Sequence, residues 1–68
     1  MQEFLLKGEF IALCDLLKLT GISQSGGQGK AMVADGLVKV DGAVELRKTA
    51  KIRKGQTVEY SDTKIIVR

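Results

Sequence analysis

The apolar residues of this 68-residue chain change their spacing at Gly36. Before it they recur every three or four positions, as on one face of a helix. After it they recur every second position, as on a strand with one buried face. Helical spacing first and strand spacing afterwards predicts helices packed on one side of a small, mostly antiparallel sheet. The length allows a single hydrophobic core, so residues 1–68 form one domain.

The segments follow from local chemistry. Residues 2–7 read as a short strand ended by Gly8. From Glu9 the helical spacing begins: Phe10, Leu13, Cys14 and Leu17 share a face, Ile11 and Leu16 widen it, and Thr20-Gly21 stops it. A second helix opens at Ser23 or Ser25. Ser25-Gly26-Gly27-Gln28 has capping-box spacing, in which the serine oxygen accepts from a free amide and the glutamine reaches back. Ala31, Met32 and Val33 supply its apolar contacts, and Asp35-Gly36 ends it. Gly26, Gly27 and Gly29 are expensive so near a helix start, at about 1 kcal/mol each against alanine in a helix interior. Close packing against the first helix would explain them. So would bare backbone that admits a phosphate.

Beyond Gly36, Leu37-Val38-Lys39-Val40 alternates, Asp41-Gly42 is a hairpin turn and Ala43-Val44-Glu45 returns. An extended basic loop follows, crossing the sheet with Ile52 as its core anchor. Lys54-Gly55-Gln56 turns into a strand over 57–60, and Ser61-Asp62-Thr63 into a last strand over 64–67. The fold class expected is α+β: a short N-terminal strand, two packed helices, then a small mostly antiparallel sheet.

One cysteine and no histidine exclude an internal disulfide, the usual zinc sites, and Cys–His or Ser–His–Asp catalysis. Cys14 sits on the apolar helix face and reads as a buried structural thiol. Gly26-Gly27-Gln28-Gly29-Lys30 fails as a nucleotide phosphate loop. Gln24 stands where that loop needs its first glycine, and Ala31 where it needs a hydroxyl. No catalytic residue, cofactor, metal or small-molecule substrate is therefore expected. The longest apolar run, from Phe10 to Leu17, is broken by Asp15, so no membrane partner is expected. A lone thiol with no export signal predicts a cytoplasmic protein.

Charge supplies the positive indication. Arg47-Lys48-Thr49-Ala50-Lys51-Ile52-Arg53-Lys54 holds five basic residues and no acidic one, whereas the remaining chain has six basic against eight acidic. Charge runs are often just a solvated face, but a merely solubilising face mixes signs. A concentrated cationic segment instead fits a polyanion, of which nucleic acid is the commonest. Of the three aromatic residues, Phe4 and Phe10 read as core, leaving only Tyr60. Single strands are read by stacking on exposed aromatics, so structured or double-stranded RNA, held through its backbone and shape, fits better.

The span from Ala12 to Tyr60 resembles the RNA-binding domain first seen in ribosomal protein S-four, the αL motif. The similar residues are Leu13 and Leu17 with Leu19-Thr20-Gly21, Ser25, Lys30, the hairpin Gly36-Leu37-Val38-Lys39-Val40-Asp41-Gly42, and Gly55-Gln56-Thr57-Val58. More closely, Leu13–Leu19, Ser25-Gly26, Val38–Glu45 and Arg47-Lys48 look like the YbcJ-type family of small, free-standing bacterial members. The resemblance implies RNA binding, with the ribosome as one setting for it. Ala12 and Gly26 stand where the broader family often carries arginine, which shifts the expectation onto the basic segment. The expected RNA-binding residues are Ser25, Gln28, Lys30, Lys39, Arg47, Lys48 and Lys51. Arg47 leads them, because a guanidinium can hold a phosphate through two hydrogen bonds. The rival expectation is a protein-interaction module that docks an acidic partner at the edge of the last strand or on the glycine-bearing helix face.

Overall fold

The alternation beyond Gly36 is realised as a sheet. A computed structural model describes residues 2–68. The strands are β1 (Gln2–Phe4), β2 (Ile11–Ala12), β3 (Val38–Val40), β4 (Ala43–Val44), β5 (Lys51–Ile52), β6 (Thr57–Tyr60) and β7 (Thr63–Val67). Helices α1 (Leu13–Leu19) and α2 (Gly26–Ala34) lie between β2 and β3 in the chain. Five strands form one sheet in the order β1-β7-β6-β3-β4, and β2 pairs with β5 in a separate ladder. Only β1 runs parallel to its neighbour; the other pairs are antiparallel. The fold is α+β.

Register follows from the turns. Asp41 (φ 51°) and Gly42 (φ 86°) both adopt positive φ, as a two-residue type I′ turn requires, and the turn sets Val40 opposite Ala43. That register turns Val38 inward and Lys39 outward. Val58, Ile65 and Val67 follow the same alternation, and all four valine and isoleucine side chains are fully buried. They meet Leu13, Leu16, Leu17, Met32 and Val33 of the helices in one core. Each such side chain contributes about 1.5–3 kcal/mol on burial. Among the described residues, no helix is long and apolar enough to cross a membrane.

Several expectations are corrected. The first helix starts at Leu13, not Glu9, because Ile11 and Ala12 pair with Ile52 and Lys51 across the small ladder. Phe10 thereby leaves the helical face and is 43% exposed. The first strand stops at Phe4, although Leu6 is still tied in through its N–H to the Arg68 carbonyl. The last strand is not an edge, since β1 covers it with Gln2, Glu3 and Phe4 beside Ile65, Ile66 and Val67. The basic segment does not cross the sheet as one loop. It makes a turn, closed by the Ala50 N–H on the Arg47 carbonyl, and then the strand β5. Ala31 is exposed and stands outside the buried core. Ile52 is the buried anchor expected of it.

Close packing explains one of the three glycines. A Cβ on Gly29 would lie 3.1 Å from the Cys14 carbonyl oxygen and 3.1 Å from Ser23 Oγ, so α2 crosses α1 where no side chain fits. At Gly26 a Cβ would meet nothing, and at Gly27 only Ser25 Oγ at 3.9 Å. Gly29→Ala should therefore destabilise the domain by about 1–3 kcal/mol, since the neighbour is backbone and cannot yield. Gly27→Ala should leave stability unchanged or raise it by up to about 1 kcal/mol. Urea denaturation of the two variants checks the contrast.

Candidate nucleic-acid interface

Helix α1 is seven residues long and opens at Ala12, which has no side chain to cap it. Two free amides of its first turn are met from elsewhere. The Leu13 N–H donates to the Ala50 carbonyl (2.9 Å) and the Cys14 N–H to the Lys48 carbonyl (3.1 Å). The ladder between β2 and β5 thus runs on into the helix start. The backbone of the basic segment serves as the cap, and its side chains are left to solvent: Arg47, Lys48, Thr49 and Lys51 are all exposed. Each backbone bond of this kind is worth about 0.5–1.5 kcal/mol net, and a buried unmet amide would cost more.

On the other side of Cys14 stands the first turn of α2, where Gly29 meets Cys14 Cα and its carbonyl. One buried residue therefore separates the basic turn from the segment carrying Ser25, Gln28 and Lys30, all exposed. Ser25 caps α2 as expected, its Oγ accepting from the Gln28 N–H (3.1 Å). Gln28 reaches back one residue further than capping-box spacing implies, its Oε1 accepting from the Gln24 N–H (2.6 Å). Lys39 lies elsewhere. It is on the outward face of β3, opposite Glu59 of β6 and away from the helices.

Arg47 is not a free cation. Its Nε donates to Glu45 Oε2 (3.1 Å), its Nη2 to Oε1 (3.0 Å), and its backbone N–H also to Oε2 (3.1 Å). The fork–fork geometry is the one a guanidinium would offer a phosphate. The Arg47 side chain and then its backbone N–H hold the Glu45 carboxyl well below its ordinary 4.5, at about 2. The carboxylate in turn raises the Arg47 pKa. Among the described residues, Lys48, Lys51, Arg53 and Lys54 make no ion pair.

A feature that spacing missed lies at the far end of the segment. Lys51 Nζ sits 4.9 Å, and Arg53 Cζ 5.7 Å, from the centre of the Phe10 ring. Sequence reasoning counted Phe10 in the core on its distance from Leu13, Cys14 and Leu17. The available signal against that was Gly8 two residues before it and β-branched Ile11 just after, a pattern that suits a strand.

The chain matches the family model described as S4 domain over residues 4–68. It is 58% identical over 55 residues to the Escherichia coli (strain K12) protein named "Putative RNA-binding protein YbcJ", covering 81% of this chain and 79% of that one. The same figures hold for the Shigella flexneri "Uncharacterized protein YbcJ". Among solved structures, the solution structure of YbcJ from E. coli matches with a TM-score of 0.75 and 53% identity, over 98% of this chain and 86% of that one. It is described as revealing an αL motif involved in RNA binding.

The Glu45–Arg47 fork predicts its own titration. A carboxyl lowered from 4.5 to about 2 stabilises the folded state above pH ~4.5, and that contribution is lost as the pH falls towards 2. The Glu45 side-chain carbon followed by NMR should titrate near pH 2, and should return towards 4.5 in Arg47→Ala. An ordinary midpoint in the unsubstituted protein would show that the fork does not persist in solution.

Proposed function

The chain belongs to the S4 domain family, and from that membership we propose that it is a non-catalytic domain that binds structured RNA, mainly by gripping phosphates. The observation that carries the reading is the set of four cations, without an ion pair among the described residues, on one short backbone segment that is itself pinned to the start of α1. A relative 58% identical is named for RNA binding, which supports the same conclusion.

The proposed contact surface centres on Lys48 and Lys51. Lys30 and the polar start of α2, Ser25 and Gln28, flank it across Cys14. Arg53 joins it, on the same side of β5 as Lys51, because residues two apart on a strand share a face. Arg47 contributes only when a phosphate displaces the Glu45 carboxylate, so its part is smaller than its charge suggests. Lys39, exposed on the outward face of β3 opposite Glu59, lies outside this centre of the surface.

No residue of the surface need react. The grip is electrostatic: each phosphate contacted releases condensed counterions into solution, and the gain shrinks as salt rises. With about five phosphates held, the log–log slope of affinity against salt should be roughly −4 to −5. Lys48→Ala with Lys51→Ala should flatten it by about two units with the fold intact. Glu45→Gln should do the reverse, releasing Arg47, tightening binding and steepening the slope by up to about one unit. Fluorescence anisotropy with a hairpin RNA across a salt series measures all three. An unchanged slope in the double variant would remove this surface from consideration.

A further inference from the structure

The geometry points to Phe10, Lys51 and Arg53 as a stacking site for one unpaired nucleobase of the bound RNA. This rests on the RNA-binding reading above and adds a specificity element to it. Ile11 pairs with Ile52 across the small ladder, so Phe10 and Arg53 stand at the next register position. Ile52 is turned into the core and is 1% exposed. Its neighbours Lys51 and Arg53 take the opposite face, and there both lie over the Phe10 ring, at 4.9 and 5.7 Å from its centre.

The register of the small ladder sets this ring on the face opposite the buried Ile52. Phe4 is packed against the core, yet Phe10 remains 43% exposed in a domain too small to spare apolar burial lightly. It also does not stand alone. Phe10 borders an open groove of about 360 Å³, together with Leu5, Leu19 and Lys7. Leu5 is 74% and Leu19 64% exposed.

An apolar groove that holds Lys7, beside an aromatic ring that Lys51 and Arg53 overlie, matches one kind of occupant. A nucleotide brings a flat base that seeks an aromatic face or a guanidinium plane, joined to a phosphate that seeks a cation. A purely apolar segment would leave the Lys51 and Arg53 charges unmet. Neither cation has a carboxylate partner among the described residues. Lys51 also borders the hollow formed with Arg47, Thr49 and Ala50. A strand whose base rests on Phe10 therefore continues onto the turn already assigned to phosphates. The RNA class that satisfies both halves is a duplex interrupted by an unpaired nucleotide, such as a bulge or a junction.

Two short hairpin RNAs, alike except for one bulged adenosine, test this against the unsubstituted protein, Phe10→Leu and Phe10→Tyr. The unsubstituted protein should prefer the bulged RNA by roughly 5- to 150-fold, the range that base–aromatic stacking supplies. Phe10→Leu should abolish the preference and Phe10→Tyr should keep it. The chain has no tryptophan, so in Phe10→Trp the indole emission reports on this position alone and should be quenched by the bulged RNA only. Equal affinity for both RNAs in the unsubstituted protein overturns the stacking site and leaves phosphate binding standing. An equal loss for both RNAs in Phe10→Leu also overturns it, because the ring would then merely support Lys51 and Arg53. Binding to neither RNA at low salt overturns the RNA-binding reading itself.

Discussion

Two backbone hydrogen bonds, from Leu13 to the Ala50 carbonyl and from Cys14 to the Lys48 carbonyl, hold the arrangement together. A seven-residue helix is far below the length at which helices persist alone, and this one begins at an alanine that cannot cap it. The basic turn supplies the missing acceptors from more than thirty residues downstream. The dependence runs both ways. Five neighbouring cations repel one another, and a free loop carrying them would spread. Fixing its carbonyls against helix amides orders the backbone without using a lysine side chain, so Lys48 and Lys51 stay exposed.

The second constraint is the crossing at Gly29. Because α2 lies against the Cys14 backbone with no side chain between them, the first turn of α2 approaches the residue that the basic turn caps. Ser23 is buried at the same crossing and spends its hydroxyl on the Ser25 carbonyl. No buried side-chain polar atom among the described residues lacks a partner. Polar satisfaction and close packing thus meet at one point, and the proposed contact surface is arranged around it.

What was legible in the sequence was what short stretches determine alone. The stop at Thr20-Gly21, the cap at Ser25, the turn at Asp41-Gly42 and the alternation from Leu37 onward each depend on a few adjacent residues. The helix start was not legible, because Ile11 and Ala12 answer to Ile52 and Lys51, forty residues away, and that pairing outweighs their helical spacing. The position of Phe10 followed from the same error. The covered edge of β7 was hidden for a like reason, since β1 is the first strand of the chain and β7 the last. The Glu45–Arg47 fork is the opposite case. The two residues are close in sequence, but a count of charges from Arg47 to Lys54 begins one carboxylate too late.

That carboxylate changes where the segment is effectively positive. With Glu45 neutralising Arg47, the uncompensated charge begins at Lys48 and continues through Lys51 to Arg53 and Lys54. Its centre moves away from the β4 hairpin and towards the small ladder, where Phe10 stands. The segment is then graded along its length: a compensated, geometrically fixed guanidinium at one end, and free cations against an aromatic ring at the other. A uniform cationic strip would hold any polyanion with equal indifference. A graded one favours a particular direction and register of the nucleic-acid backbone. In a domain whose core leaves room for little else, such direction has to come from the placement of a few side chains on a backbone the fold already holds still.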